Sequence, residues 1–147
     1  MDRPADLAGY YGSRRAFLDG TLACRDSVLT PQDLHGLEAP LRRALAARIA
    51  AQAGEEALAA EYRVGLGAPW SAVADPSQNA FDGVTGAIVA HSDLVTLMPK
   101  AAERGALEAL MAAGLDVPQV VALSELIAFA NYEARARLGL AALQVAA

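Results

Sequence analysis

Apolar positions recur at helical spacing through most of the chain, and the longest stretch with one clear period is 116–143, DVPQVVALSELIAFANYEARARLGLAAL. Asp116 offers a side-chain acceptor for an N-cap, Pro118 lacks an N–H where the first turn needs none, and Gln119 is placed to reach back to the cap. On a wheel of about 100° per residue, Leu123, Leu126, Ile127, Phe129, Ala130, Ala134, Ala136, Leu138 and Leu140 fill well over a third of the circumference. That arc is too wide for a helix lying on a surface. It predicts a central rod packed by several neighbours, or a helix at a subunit interface. The remaining arc holds Ser124, Glu125, Asn131, Tyr132 and Arg135. Glu133 and Arg137 fall inside the apolar arc instead, at the i, i+4 spacing with the acid first, where the two can pair on one face.

Shorter helices are predicted upstream. Tyr10 to Cys24 forms an amphipathic segment with Tyr10, Phe17, Leu18 and Leu22 available for burial and Arg14 and Arg15 facing out. Thr30-Pro31-Gln32-Asp33 reads as an N-cap with proline in the first turn, opening a brief helix that stops near Gly36. Pro40 starts the next helix, whose stripe of Leu41, Ala44, Leu45, Ile49 and Ala53 has side chains small enough for a neighbour to approach closely. Arg48 lies beside that stripe and is expected to stretch to solvent, an acid partner being the other reading. Gly54 ends or kinks this helix, and Glu55 and Glu56 open the next, where acids meet the positive end of the macrodipole. That helix should run to about residue 66.

The stretch 67–78, GAPWSAVADPSQ, holds two prolines and the one tryptophan, and reads as a mobile loop. From 79 to 98, Phe81, Val84, Ile88, Val95 and Met98 follow helical spacing with His91 on the same stripe, and Gly83 and Gly86 allow close helix contact. Pro99 breaks the run. A short helix over 103–113 carries Leu107, Leu110 and Met111, and Gly114 suits the C′ position before the long helix. The expectation is one all-α domain over 1–147, a bundle of about six helices in which 117–143 is the longest.

Composition narrows the partners. The chain is 147 residues long, 54% hydrophobic and 5% aromatic, a balance that suits close-packed helices and argues against extended β-sheet. A net charge of −5 disfavours nucleic acid and anionic membrane as partners. The N-terminus lacks the apolar core of a secretory signal, and no run reaches the roughly 18 apolar residues of a membrane span. A cytoplasmic protein is expected. A single cysteine, Cys24, excludes an intrachain disulfide and any CxxC pair. Nothing resembles a phosphate loop, a Ser-His-Asp set or a zinc motif, so neither cofactor nor metal is expected.

The C-terminal half carries three patterned steps: Thr96 to Pro99 as T-x-x-P, Ala112 to Leu115 as an AAGL turn, and Ile127, Ala128, Phe129, Asn131 and Arg135 as IAFxNxxxR within the long helix. With these the chain resembles the peroxidase-related branch of the alkylhydroperoxidase D and carboxymuconolactone decarboxylase superfamily over 79–143, and more loosely over 31–66. The resemblance implies an AhpD-like helical bundle that assembles as a homo-oligomer, a trimer or hexamer. Active members carry a CxxC at a helix start, a histidine four residues after its second cysteine, and a glutamate about three turns upstream. The helix N-terminus lowers the thiol pKa, the second cysteine resolves the sulfenic acid, and histidine and glutamate relay protons. Carried over through LRRALAARIAAQAGEEALAAEYRVGL, the cysteine positions fall on Gly54 and Ala57, the histidine on Glu61 and the glutamate near Arg42. All four are changed, and a shift of one residue brings no cysteine into the segment.

Candidate chemistry is therefore sparse. Cys24 reads either as a one-cysteine peroxidatic residue, with Arg25 beside it to lower its pKa, or as a small buried or half-buried residue. His91 reads as a base or ligand, or as a hydrogen-bonded core residue; His35 lies in a turn with no ligand spacing to it. Glu61 is a proton donor or a solvated helix residue. Together with Tyr62, His91, Glu125 and Tyr132 it would line a vestigial pocket, Glu125 being otherwise exposed on the polar stripe. The resemblance thus implies a superfamily member that has lost its peroxidase centre, an oligomeric helical scaffold with a small-molecule pocket. Two enzymes are the alternatives: a hydroperoxide reductase using Cys24, or a decarboxylase-like lyase with His91 or Glu61 as proton donor. The subunit interface is expected to include the long helix from Phe129 onward, with Glu133 or Arg137 at or beside it, where that helix would leave the intrachain core.

Overall fold

The long helix begins as its sequence dictates. In a computed structural model that describes residues 15–145, the Asp116 carboxylate accepts from the Gln119 N–H and the Asp116 N–H donates to Gln119 Oε1, both at 2.9 Å. This reciprocal pair satisfies two of the orphan donors at the helix start. Gly114, at φ +114°, makes the left-handed turn that brings the chain there. Seven α-helices result among the described residues: α1 (Arg15–Leu29), α2 (Ala39–Gln52), α3 (Glu56–Arg63), α4 (Trp70–Val73), α5 (Gly83–Leu97), α6 (Arg104–Ala112) and α7 (Val117–Val145), with a 3₁₀ turn at Pro99–Ala101. No strand occurs among the described residues, and α7 is the longest element. The fold is the all-α bundle that the periodicity predicts.

Helix α7 packs on α1, α2, α5 and α6, and Leu123, Leu126, Ile127, Ala130 and Ala134 on its wide arc are buried. The most enclosed helix, however, is α2. Every residue from Ala44 to Ala50 is buried, because α1, α3, α4, α5 and α7 all pack on it. A helix covered on all sides shows little amphipathic period, and alanines let its neighbours come close.

Two arginines on α2 organise the connections. Arg42, 2% exposed, donates to the carbonyls of Val28, Leu34 and Leu37, each at 2.8 Å. It closes the end of α1 and fixes the turn that follows. Burial lowers its pKa, and the nearby Glu125 charge partly offsets this. Arg48 does not stretch to solvent as expected; it is fully buried. Its Nε and Nη2 grip the two Asp93 carboxylate oxygens at 2.6 and 2.7 Å, and its remaining N–H groups reach Asn79 Oδ1 and the carbonyls of Asp75 and Gln78. The bidentate fork joins α2 to α5 and ties down the connection between α4 and α5.

Other expectations are corrected. Residues 31–36 form bends and turns rather than a helix: Thr30 donates back to the Asp26 carbonyl, so it closes α1 instead of opening a new element. Helix α1 consequently runs on to Leu29, and Phe17 is exposed; Tyr10 and Arg14 lie outside the described residues. Helix α3 stops at Arg63, short of Leu66, and the predicted loop 67–78 contains α4. Val84 and Met98 of the α5 stripe are exposed. Gly86 does not serve helix contact: a Cβ there would stand 2.2 Å from the Phe81 carbonyl oxygen, so the glycine admits the chain's own turn into α5.

Candidate functional site

Gly54, at φ +88°, ends α2, and the Glu55 side chain accepts from the Leu58 N–H to start α3. The phase set by this start points Tyr62 inward, at 4% exposure, and leaves Glu61 half-buried beside it. From α1, the Arg25 guanidinium lies 4.6 Å over the Tyr62 ring, donates to the Tyr62 hydroxyl at 2.9 Å and to Glu61 Oε1 at 2.8 Å. The Tyr62 hydroxyl donates in turn to Glu133 Oε2. Arg137 reaches Glu61 Oε2 at 3.2 Å and Glu133 Oε1 at 3.5 Å, while Arg25 stands 3.6 Å from Glu133 Oε1.

Two arginines, two carboxylates and a phenol from α1, α3 and α7 thus form one cluster in which the formal charges cancel. Glu133 is fully buried and Arg137 is 2% exposed; such burial is tolerated because each charge meets more than one opposite partner. Burial first, and the Glu133 charge second, raise the Tyr62 pKa against the opposing pull of Arg25, so the hydroxyl stays protonated and donates. Burial alone would lower the Arg25 pKa, but Tyr62, Glu133 and Glu61 outweigh it and hold it raised.

The Glu133–Arg137 pair predicted from spacing is therefore present. Its other partners come from α1 and α3 of the same chain, so the expected departure of the long helix from the intrachain core does not occur at this point. The missed member is Arg25, which the sequence offers only as a neighbour of Cys24. Its guanidinium is committed to Glu61 and Tyr62. Cys24 itself is exposed, against the expectation of a buried or half-buried residue.

The five candidate pocket residues are not brought together. Glu61 and Tyr62 belong to the ion cluster, which lines neither the recess at Glu125 nor those at His91. Tyr132 is exposed on the outer side of α7, its hydroxyl 3.4 Å from Thr21 Oγ1 and its ring 6.2 Å from Phe129. Glu125 is exposed, as its place on the polar stripe suggests, at a recess of about 460 Å³ that it shares with Asp33, His35 and Arg42. His91 lies elsewhere again, in a recess of about 300 Å³ between α5, α6 and α7 with Val95, Leu107, Ser124, Ile127 and Ala128. Helix geometry explains the split. Glu125 and Tyr132 sit about two turns, ~10 Å, apart on one face of α7, while Glu133 and the Ile127–Ala128 side face other neighbours.

His91 is 8% exposed, and its Nδ1 is sealed without a hydrogen-bond partner. Burial lowers its pKa. The expected hydrogen-bonded core histidine is buried but, at Nδ1, not bonded. No group of three or more His, Cys, Asp or Glu side chains among the described residues is placed to hold a metal ion. No helix among them is long and apolar enough to cross a membrane.

No family model and no curated protein matches this chain. Its chemistry rests on its own geometry, in which the cluster of Arg25, Glu61, Tyr62, Glu133 and Arg137 pairs within itself and the buried, unpartnered Nδ1 belongs to a histidine that lines a recess.

Proposed function

We propose that this chain is a non-redox protein of the alkylhydroperoxidase D and carboxymuconolactone decarboxylase type: an oligomeric helical scaffold that has lost the CxxC peroxidase centre and keeps a small-molecule pocket. The carrying observation is the state of Glu61, which stands where the resemblance places the relay histidine. Each of its oxygens already receives an arginine, Arg25 or Arg137, and no member of its cluster lines the recess of Glu125 or those of His91. The upstream relay position, Arg42, is likewise saturated, by three backbone carbonyls. Side chains that would move protons in an active relative hold helices together in this one.

The same geometry weighs against the enzyme alternatives. Glu61 is not positioned to protonate a substrate, and His91 lacks a bonded carboxylate that would set its tautomer for lyase chemistry. Cys24 is exposed, with its neighbouring cation engaged elsewhere. Oligomer formation is supported by apolar surface on the C-terminal part of α7, where Tyr132, Leu138 and Leu143 are exposed. A trimer or hexamer should appear in light scattering, and a monomer at micromolar concentration would refute that part. Supplied with cumene hydroperoxide and a dithiol reductant, the protein should show no turnover. Turnover that disappears in Cys24→Ser would overturn the non-redox reading in favour of one-cysteine chemistry.

A further inference from the structure

The recess beside His91 has a largely aliphatic wall, made by Val95, Leu107, Ile127 and Ala128. Its mouth carries Glu103 and Arg104, one charge of each sign, and Arg104 is paired with Glu108 at 3.3 Å. A charged guest would lose its hydration there without a dedicated counter-ion, so the site suits an uncharged one. The ring of His91 supplies the polar contact. Nδ1 is sealed from solvent and has no partner, whereas Nε2 is neither sealed nor bonded. A buried N–H without an acceptor is rarer and less tolerated than a buried lone pair, which places the proton of the neutral ring on Nε2, the ring nitrogen that is left accessible. A second apolar recess of about 180 Å³, lined by Ala87, Leu94 and Leu110, adjoins the same histidine and leaves room around the ring.

We propose that this recess binds a small, uncharged, mainly aliphatic molecule bearing one carbonyl oxygen, which accepts a hydrogen bond from His91 Nε2. The inference rests on the reading of the chain as a non-redox binding protein, and it names the ligand class of the pocket in that reading. A neutral imidazole holding a single N–H into an apolar cavity selects an acceptor oxygen over a hydrocarbon, and the absence of net fixed charge selects a ketone or ester over a carboxylate.

The test is titration of the full chain with cyclohexyl methyl ketone, followed through the imidazole carbon–proton signals by NMR. The chain has two histidines, and His35, exposed and outside the recess, is the internal control. The expected result is a saturable shift of the His91 signals with a Kd of about a millimolar or below, and no shift at His35. His91→Phe, whose binding is followed on the ketone's own proton signals because the reporting ring is gone, should weaken binding about tenfold, a factor equal to the ~1.4 kcal/mol of one hydrogen bond. Ala128→Phe, filling the recess from an exposed position, should abolish binding without touching the histidine. Equal affinity for ethylcyclohexane would overturn the hydrogen bond, tighter binding of cyclohexanecarboxylate would overturn the choice of an uncharged guest, and no His91 shift up to the solubility limit would overturn the site. Peroxide turnover reports separately on the non-redox reading, so the two failures are told apart.

Discussion

Replacing Glu133 by glutamine keeps the shape of the side chain and removes one of the two negative charges that balance Arg25 and Arg137. In the native cluster the Glu133 carboxylate stands 3.6 Å from Arg25 and 3.5 Å from Arg137 and accepts from Tyr62. At an effective dielectric of about 20, each of those ion pairs has a gross attraction of roughly 5 kcal/mol. The cost of desolvating the ions offsets most of that sum, and breaking a buried pair by removing one partner leaves a net loss of about 3–5 kcal/mol. No discount for solvent is due, because Glu133 is fully buried. Urea unfolding of Glu133→Gln should therefore show that loss with an unchanged m-value, equivalent to a fall in Tm of roughly 6–20 °C for a chain of this size. Glu125→Gln, an exposed carboxylate on the same helix, should change stability by no more than about 0.5 kcal/mol. A Glu133→Gln loss below about 1 kcal/mol, or one that disappears at high salt, would refute the buried cluster, since only exposed pairs are so weak and so readily screened.

Arg48→Lys should destabilise by about 3 kcal/mol or more despite keeping the charge, because an ammonium cannot reproduce the fork that holds Asp93 and the backbone carbonyls; limited proteolysis should then cut within 67–82, and wild-type resistance there would contradict the assignment. Burial lowers the folded-state pKa of His91 below its unfolded value of about 6.5, so on acidification the unfolded chain gains a proton that the folded chain refuses and stability falls as pH drops through about 6.5. Unfolding free energies at about pH 7.5 and 5.5 should differ less in His91→Phe than in the wild type, and equal differences would show that His91 is not held neutral. Asp116→Ala should cost about 1 kcal/mol through loss of the cap, and a neutral result would argue against the reciprocal bonds to Gln119.

What the sequence made legible was local. The cap at Asp116, the break at Gly54, the C′ role of Gly114 and the i, i+4 pairing of Glu133 with Arg137 depend on neighbours in the chain, and each is found as expected. Arg25, Arg42 and Arg48 were not legible in the same way. Their partners lie on other helices or are backbone carbonyls, which no side-chain pattern announces. The divided pocket failed for a related reason: Glu61, Tyr62, His91, Glu125 and Tyr132 were grouped by resemblance, whereas their separation depends on the rotation of α3, α5 and α7 about their own axes. The enclosure of α2 was hidden by its alanines, which score as neither strongly apolar nor polar and so give no period to read.

The arginines of α2 reverse the usual relation between a core and its connections. Surface connections ordinarily tolerate insertion and sequence change because little depends on their backbone. Here the carbonyls of Val28, Leu34 and Leu37 are acceptors for Arg42, and those of Asp75 and Gln78 for Arg48. Lengthening either connection by a residue would take from a buried guanidinium the carbonyl acceptors it finds there, so the non-helical segments 30–38 and 74–79 are bound to the chemistry of the helix beneath them. For anyone grafting a tag or a domain into this bundle, these two irregular segments are poor places to cut, although their lack of regular structure would ordinarily recommend them.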